Sequence, residues 1–485
     1  MLKQNFLIKL ISNRIFIYLF SRYFSYIIQF LTAIYLAITL GPFYFGVYGF
    51  IILISNYLSF FNIGIPSSVS VMLIQNKTND SIVKDILASS IFSVVIISFF
   101  LCAIGFLYYL LDYNIFPKFN ISRYIPLIII ITVLTIFNSL FLGVYRFKNR
   151  LFEVGFYQSF KPIFIFIFIF FAEGERLLFL VFSANIIAEL ISLLLFIFRG
   201  ALPFGGKVLK KNVYEIISKG YYLFLNSTFL LLITISTRSF ISANYSVESF
   251  GQFTLSFTIA NSFILFLSSF AFIILPKVMD KLNSDNTNEV SHVISTINSN
   301  YVTLGHITLY LLVIIFPLLT NFFPQWALLE SLFNVLCVSI LLSINSFAHS
   351  SYLMVRNKEK VLSLISLIAL LLNVVTTIVL IYVFELDIKY IVFCLLFSYF
   401  IYGFMCSYFY NKMNNCLNYK RVFLDFIPLN LFFPFLMLIF SIFVDNRIYI
   451  YISFLVLLVL NIRSIKLIFK TLLSITKSSS MIDLK

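Results

Sequence analysis

Apolar residues follow one another along this chain in long runs, which are separated by short polar stretches. By window hydropathy, fourteen of these runs reach the length of a bilayer-spanning helix, about 20 residues. They cover residues 15–40, 47–74, 86–111, 124–145, 154–172, 177–198, 221–242, 253–275, 302–323, 327–355, 361–384, 388–409, 423–444 and 448–468. The pattern predicts an all-α polytopic membrane protein with about 14 transmembrane helices.

The composition supports this prediction and excludes a soluble protein. Hydrophobic residues make up 61% of the 485 positions and charged residues 11%, against about 45–50% and about 25% in an ordinary soluble domain. No stretch is polar enough for a separate water-soluble domain, so a membrane-tethered catalytic domain is excluded. The five cysteines lie in apolar runs or in a Lys-flanked loop and do not support a disulfide framework: Cys102, Cys337, Cys394, Cys406 and Cys416.

Lys and Arg are distributed unevenly between the two sides of the membrane. With fourteen spans both termini lie on one side, and that side holds 27 of the basic residues, whereas the opposite loops hold 5. The positive-inside rule therefore places both termini in the cytoplasm. Because the net charge of +15 comes from the Lys and Arg of the inner segments, it indicates membrane topology and contact with anionic lipids, and not nucleic-acid binding.

The chain contains an internal repeat. Phe45-Gly46 after the first span corresponds to Phe250-Gly251 after the seventh, and Asn56 corresponds to Asn261, all at an offset of 205. The basic residues of 146–150 correspond to those of 356–360 at an offset of 210. Because each match falls at the same position in the order of spans, we predict a six-helix unit that is used twice in the same orientation.

This repeat predicts three parts of the chain. Residues 1–200 form an N-terminal six-helix lobe, residues 201–411 form a second, pseudo-symmetric six-helix lobe, and residues 412–485 add two transmembrane helices and a cytoplasmic tail. A cleft between two such lobes is the expected path of a substrate.

Four motifs resemble those of a known transporter family. They are Leu40-Gly41-Pro42-Phe43-Tyr44-Phe45-Gly46-Val47-Tyr48, Asn62-Ile63-Gly64-Ile65-Pro66, Gly143 to Lys148, and Leu275-Pro276-Lys277. Together they resemble the polysaccharide-transporter branch of the multidrug/oligosaccharidyl-lipid/polysaccharide exporter superfamily, the O-antigen flippases. Two positions depart from the family: Asn62 replaces the usual Asp, and Thr237-Arg238 replaces an Asp beside a basic residue.

The resemblance implies a fold and a function. The family fold is two bundles of six helices in a V, with a final pair of helices. The implied function is a non-enzymatic flippase in the bacterial inner (plasma) membrane that works by alternating access. Its implied cargo is an undecaprenyl-diphosphate-linked glycan, an O-antigen or capsule repeat unit. The resemblance also implies a polysaccharide polymerase and a chain-length regulator as partners.

Charged residues within the predicted spans are informative, because an ionisable side chain is costly there. Arg22 lies roughly 10 Å from the inner edge of the first span, so it either lines a cavity or extends to the cytoplasmic surface. Glu189 lies near mid-membrane and needs a partner or a proton, for a transport role or for a structural ion pair. Arg238, close to the outer surface, is a substrate-binding candidate or an interfacial anchor. Lys161 is expected to be an inner-surface anchor.

A diphosphate-linked glycan needs groups of two kinds. Guanidinium groups bind phosphate oxygens in a bidentate manner, which makes Arg22 the candidate for capture of the headgroup. Amides within spans are able to bind sugar hydroxyls or to join helices: Asn56, Asn62, Asn226 and Asn261. His349, within the tenth span, is expected to be a helix-contact residue, with a proton relay as the alternative.

Two other functions remain open from the residues. A cation-coupled multidrug exporter of the same superfamily would fit twelve spans better than fourteen. A membrane polysaccharide polymerase or glycosyltransferase needs a sizeable outer loop, whereas the longest one here is about residues 112–123. We therefore expect no catalytic residues, no cofactor and no metal, while a coupling ion, proton or sodium, is left undetermined.

Overall fold

A computed structural model of the chain describes residues 14–111, 116–219, 221–284, 286–320, 326, 329–415, 417–444 and 446–468. In these residues every regular element is helical and no strand is present. Each of the fourteen predicted apolar segments overlaps at least one helix. The predicted fold class, an all-α polytopic membrane protein, is confirmed.

The helices belong to two compact units. The first consists of the described residues of Met1–Thr228 together with Ser246–Gly251. Its helices are α1 (Arg14–Ser59), α2 (Ile65–Gln75), α3 (Asp80–Leu111), α4 (Ile125–Phe147), α5 (Leu151–Phe168), α6 (Gly174–Phe198) and α7 (Lys210–Lys219). The next two helices, α8 (Tyr221–Asn244) and α9 (Val247–Leu282), have residues in both units.

The second unit consists of Phe229–Tyr245 and the described residues of Gln252–Lys485. Its further helices are α10 (Thr287–Ile297), α11 (Thr303–Thr320), α12 (Leu329–Asn345), α13 (Phe347–Val355), α14 (Glu359–Ile378), α15 (Ile388–Ile391), α16 (Phe393–Met413), α17 (Tyr419–Phe426), α18 (Leu429–Val444), α19 (Arg447–Leu460) and α20 (Ile462–Ile468). Three of these helices, α10, α17 and α19, have an Asn as the N-cap residue. The side chains of Asn286, Asn418 and Asn446 accept hydrogen bonds from backbone N–H groups of the first turn.

The length and apolarity of the helices agree with the predicted spans. Among the described residues, nine helical segments are long and apolar enough to cross a bilayer, and two bent helix pairs raise the number to eleven. One of the nine, Phe20–Gln75, has 56 residues and contains the first two predicted spans. The two bent pairs, α17 with α18 and α19 with α20, coincide with the last two predicted spans. The fifth and eighth predicted spans coincide with α5 and α9.

The long helix α1 is broken where the family-like motif begins. Gly41 has φ 65° and ψ 175°, and Pro42 follows it. Glycine adopts a positive φ without a steric penalty, and proline cannot donate the next helical hydrogen bond. The break therefore lies between the first predicted span and the second, within the helical segment Phe20–Gln75.

The two glycines of the predicted repeat make reciprocal contacts inside the first unit. A Cβ on Gly46 would lie 2.2 Å from the carbonyl oxygen of Val247, and a Cβ on Gly251 would lie 2.1 Å from that of Pro42. Val247 and Gly251 are the repeat counterparts of Pro42 and Gly46 at the offset of 205. Each glycine therefore lies against the repeat counterpart of the residue that the other glycine contacts. The six-helix repeat itself stays a prediction.

Four of the cysteines are free thiols: Cys102, Cys337, Cys394 and Cys406. The fifth, Cys416, lies outside the described residues.

Candidate functional site

Helices α1 and α5 pack closely in the first unit along a stripe of small residues. The Oγ atoms of Ser21 and Ser159 are 2.9 Å apart, and Ser25 Oγ donates a 2.7 Å hydrogen bond to the same Ser159 Oγ. Gly155 lies one turn before Ser159, and a Cβ there would be 3.4 Å from Ser21 Cβ. Small residues and hydroxyl groups allow membrane helices to approach closely and to bond to each other. The stripe therefore fixes the polar side chains that border it on both helices.

Arg22 borders this stripe and contacts α5. Its Nη1 donates a 2.8 Å hydrogen bond to Gln158 Oε1, and its Nη2 donates to the hydroxyl of Tyr26. Its Cζ lies 4.8 Å from the centroid of the Tyr26 ring, in a cation–π contact. These contacts hold the half-buried guanidinium against α5, which favours the interior position over an extension to the membrane surface.

Glu189 on α6 has two polar partners. Its Oε1 lies 3.5 Å from Lys161 Nζ, and its Oε2 accepts a 2.6 Å hydrogen bond from Asn138 Nδ2. The same Asn138 amide also donates to the backbone oxygen of Glu189, at 2.9 Å. The side chain of Glu189 is 12% exposed and that of Lys161 is 44% exposed. The partner that Glu189 needs is thus Lys161, which pairs with it and does not serve only as a surface anchor.

The Arg22 and Glu189 contacts meet on α5. Gln158 and Lys161 are three residues apart, so they lie on the same face of the helix within one turn. Arg146, at the end of α4, interacts electrostatically with Arg22 and with the tyrosines beside it. We call this group the inner polar cluster and define it as Arg22, Tyr26, Asn138, Arg146, Gln158, Lys161 and Glu189. With three cationic groups and one carboxylate, the inner polar cluster is suited to an anion.

The remaining predicted site residues lie outside this cluster. Asn56 is half-buried in α1 of the first unit, whereas Arg238 and Asn261 belong to the second unit. Arg238 is 3% exposed, and its Cζ lies 5.4 Å from the centroid of the Phe257 ring. An interfacial anchor exposes its charged end to headgroups, so this burial favours an interior role. Of the five predicted site residues, the structure joins only Arg22 and Glu189 in the inner polar cluster.

Two other asparagines have structural surroundings. Asn62 Oδ1 accepts a 2.8 Å hydrogen bond from the backbone N–H of Gly64, where Gly64 has φ 70° at the start of α2. Asn226 is buried in α8, with 7% of its surface exposed. For Asn62 the structure therefore supports the local, structural alternative.

The buried histidines lie in the second unit. His306 Nε2 is 3.0 Å from Asn345 Oδ1, and His349 is fully buried with its ring centroid 5.2 Å from that of Tyr410. The His349 ring packs against Tyr410 as a helix-contact residue would, but both of its ring nitrogens are buried without a hydrogen-bond partner among the described residues. The hydrogen bonds expected of such a contact are therefore not observed there.

The sequence contained a signal for part of the inner polar cluster. Tyr26 follows Arg22 by four residues, a spacing that places both on one helix face. This spacing can be seen in the sequence alone. The contacts of Arg22 with Gln158 and of Asn138 with Glu189 join residues 136 and 51 positions apart. These partners depend on which helices pack together and so could not be predicted from local spacing.

Solved structures of membrane transporters have a similar fold. The lipid II flippase MurJ, in an inward closed conformation, matches with a TM-score of 0.69 and 12% identity, over 94% of this chain and 99% of that chain. A multidrug resistance MATE family transporter in an inward-facing conformation matches with a TM-score of 0.65 and 9% identity, over 82% and 94%. A MOP superfamily transporter from Pyrococcus furiosus matches with a TM-score of 0.55 and 12% identity, over 84% and 96%. These matches show that the chain shares the fold of these transporters.

A family model makes the assignment more specific. The family described as "Polysaccharide biosynthesis protein" matches residues 11–279, which is more than half of the chain. No curated protein matches the chain. The chain belongs to the polysaccharide biosynthesis protein family, and the resemblance predicted from its motifs is confirmed.

Proposed function

We propose that this protein is a flippase that moves a polyprenyl-diphosphate-linked oligosaccharide, such as an O-antigen or capsule repeat unit, from the inner to the outer leaflet. Two observations support the proposal: membership of the polysaccharide biosynthesis family and a fold shared with the lipid II flippase. The observation that carries it is the inner polar cluster, where Arg22 is held by Gln158 and Tyr26 inside an apolar helix bundle.

The chemistry of the cluster fits the cargo's headgroup. Arg22 and Arg146 supply guanidinium groups for diphosphate oxygens, and their mutual repulsion would be relieved by a bound anion. Gln158 and Tyr26 add hydrogen-bonding groups beside them. When a diphosphate binds, the Arg22 guanidinium would leave Gln158 and Tyr26 and bond to the phosphate oxygens. These new hydrogen bonds are stronger, because they join a cation to an anion. The lipid tail remains in the bilayer, so only the headgroup and glycan need a polar path.

Location and partners follow from this proposal. The protein would lie in a bacterial inner membrane with both termini in the cytoplasm, as the distribution of 27 and 5 basic residues indicates. Its cargo would come from glycosyltransferases and pass to a polysaccharide polymerase with a chain-length regulator. We propose no reaction chemistry and no cofactor, and proton or sodium coupling is left to experiment.

An Arg22 series tests the proposal. Arg22→Lys keeps the charge and loses the bidentate geometry, whereas Arg22→Ala loses both. Because charge-assisted hydrogen bonds contribute about 1.5–3 kcal/mol, Arg22→Ala should weaken cargo affinity by about one to two powers of ten, with Arg22→Lys between it and the wild type. The measurement is leaflet-resolved accumulation of the lipid-linked oligosaccharide in cells that carry each variant at equal abundance.

Arg150→Ala is the matched control. Arg150 is an exposed residue next to the start of α5, and its Nη1 lies 3.4 Å from Glu153 Oε1. Its removal changes the net charge equally and should leave transport unchanged. If Arg22→Ala exported glycan as well as the wild type, or if Arg22→Lys were worse than Arg22→Ala, capture of the headgroup by Arg22 would be untenable. If the protein exported drugs and the Arg22 variants left glycan export unchanged, the multidrug alternative would be supported.

A further inference from the structure

An apolar groove of about 350 Å³ lies in the first unit, away from the inner polar cluster. One wall is α3, which contributes Leu87, Ile91, Phe92 and Val95, and the other wall is the segment before α7, which contributes Pro203 and Phe204. Phe92, Val95 and Phe204 are 46%, 49% and 49% exposed. The groove is therefore open along one side and has an apolar lining.

Backbone contacts fix the wall formed by residues 203–209. The N–H of Lys207 donates a 2.7 Å hydrogen bond to Asp85 Oδ1, and the N–H of Leu209 donates a 3.1 Å hydrogen bond to Ser89 Oγ. A Cβ on Gly206 would lie 2.2 Å from the carbonyl oxygen of Lys84, so only glycine fits at this crossing. Two side chains of α3 and one glycine thus hold the segment against the helix and keep the groove in shape.

The groove has one charged end. Lys84 is the first groove residue of α3, and Val95 is eleven residues further on, roughly 16 Å away at 1.5 Å per residue. The close approach of Gly206 to Lys84 brings Lys207 to the same end. Lys84 is exposed, and it has no carboxylate partner among the described residues of the chain. The nearby Asp85 is engaged by the Lys207 N–H.

The position of the groove in the membrane follows from the predicted topology. The segment before α3 and the segment before α7 are both inner loops of the predicted topology, and the second has five Lys and Arg against one Glu over residues 199–220. The charged end therefore faces the cytoplasm and the apolar part extends into the bilayer. The adjoining α7 packs against α2 and α3 and exposes Tyr214 and Ile217, 74% and 45% exposed. An amphipathic helix with lysines and exposed apolar side chains is typical of the membrane interface.

We propose that this groove binds an anionic phospholipid of the cytoplasmic leaflet, with one acyl chain between α3 and residues 203–208 and the phosphate at Lys84 and Lys207. Three features carry the proposal: an apolar trough, a fixed wall and the exposed Lys84 at its cytoplasmic end, with Lys207 following Gly206 at the same end of the chain crossing. The volume is at the lower end of small-ligand sites, about 300–1,000 Å³, and so suits one acyl chain and not the glycan of the proposed cargo. The site is separate from transport of the cargo.

Lipid binding by the purified full-length protein tests this proposal. Phosphatidylglycerol and phosphatidylcholine with identical acyl chains are titrated into detergent-solubilised protein, and bound lipid is counted by native mass spectrometry. We expect saturable binding of phosphatidylglycerol at one site and weaker binding of phosphatidylcholine. Because one Lys near an anionic headgroup contributes about a fivefold change in affinity, Lys84→Gln should weaken phosphatidylglycerol binding about fivefold.

Two further variants separate the features of the site. Lys358→Gln removes an exposed inner-loop lysine of the second unit and should leave phosphatidylglycerol binding unchanged. Ala88→Phe places a ring in the groove and should reduce binding of both lipids, with the preference for phosphatidylglycerol retained. Both results would support the site.

Three outcomes would overturn the proposal. They are equal affinity for the two lipids, a Lys84→Gln variant that binds like Lys358→Gln, and displacement of phosphatidylglycerol by undecaprenyl phosphate at equal concentration. The last would assign the groove to the cargo's own lipid. Because none of these measurements uses transport, failure of this site leaves the proposed function untouched, and failure of the Arg22 series leaves this site untouched.

Discussion

The contact between the fifth and sixth spans differs from the contact between their repeat counterparts, the eleventh and twelfth spans. In the first unit α5 and α6 are joined by the ion pair of Lys161 with Glu189, in which the side chains are 44% and 12% exposed. In the second unit α14 and α16 are joined by a neutral contact, where Ser398 Oγ donates a 3.2 Å hydrogen bond to Asn373 Oδ1. Both Asn373 and Ser398 are fully buried.

The difference follows from the cost of burying charge. Neutral polar groups can be sealed between helices when their hydrogen bonds are made. Asn373 Nδ2 has three acceptors at 2.9–3.1 Å for its two hydrogens: Ile233 O, Ser236 Oγ and Thr237 Oγ1. A charged pair in the same place would lose its hydration and gain little. The partly exposed pair of the first unit therefore fits a hydrated surface, and the sealed pair of the second unit fits helix packing.

The largest effect is expected when a charge is introduced at the sealed site. Ser398→Glu places a carboxylate at a fully buried position and should destabilise the protein by about 3 kcal/mol or more, since an uncompensated buried charge has this cost. The measurement is the temperature at which purified protein in detergent loses its monodisperse peak. Ser398→Gln is the control for shape, and equal unfolding temperatures for the two variants would show that the site is hydrated after all.

A smaller effect is expected when the sealed contact is removed. Asn373→Leu deletes the two hydrogen bonds that its NH₂ group is able to donate and the one that its Oδ1 accepts, at about 0.6 kcal/mol each in a membrane protein, so stability should fall by about 2 kcal/mol. Glycan transport per folded molecule should be retained. Ser366→Ala is the control on the same helix, because the buried Ser366 Oγ donates its 2.9 Å hydrogen bond to the carbonyl of Ser363 in that helix. If the Asn373→Leu variant had a transport defect at normal protein level, Asn373 would have a functional role. The contrast between a structural contact in the second unit and a functional one in the first would then be wrong.

The smallest effect on stability, with a large effect on transport, is expected at Glu189. Glu189→Gln keeps the shape and the bond to Asn138, so stability should change by less than about 1 kcal/mol, as for a partly exposed ion pair. Glycan export should be lost, because an ionisable group near the middle of the membrane usually marks the transport path and this variant removes its charge.

Lys161→Gln and the exchange Lys161→Glu with Glu189→Lys sharpen this prediction. If the pair is purely structural, the exchange should restore whatever the single variants lose. We expect the exchange to restore stability and not transport, because it moves the carboxylate from α6 to α5. Normal export by Glu189→Gln at matched protein level would remove Glu189 from the mechanism.

The sequence was informative about the fold because membrane insertion acts on local composition. Each run of about 20 apolar residues must satisfy its backbone hydrogen bonds within itself, so helices follow from hydropathy alone. The same reasoning identified Glu189 as a residue that needs a partner, because a carboxylate near mid-membrane is costly wherever its helix packs. It also paired Gly46 with Gly251 as repeat counterparts, although their reciprocal contact was visible only in the structure.

What the sequence determined by itself is the class of protein: an all-helical membrane chain with the motifs of its family. These properties depend on neighbours along the chain. The tertiary structure decided which residues act together, because a contact such as Arg22 with Gln158 or Lys161 with Glu189 depends on the depth, rotation and packing of separate helices. A residue's burial is set in the same way, so the packing of α8, and not its hydropathy, placed Arg238 in the interior.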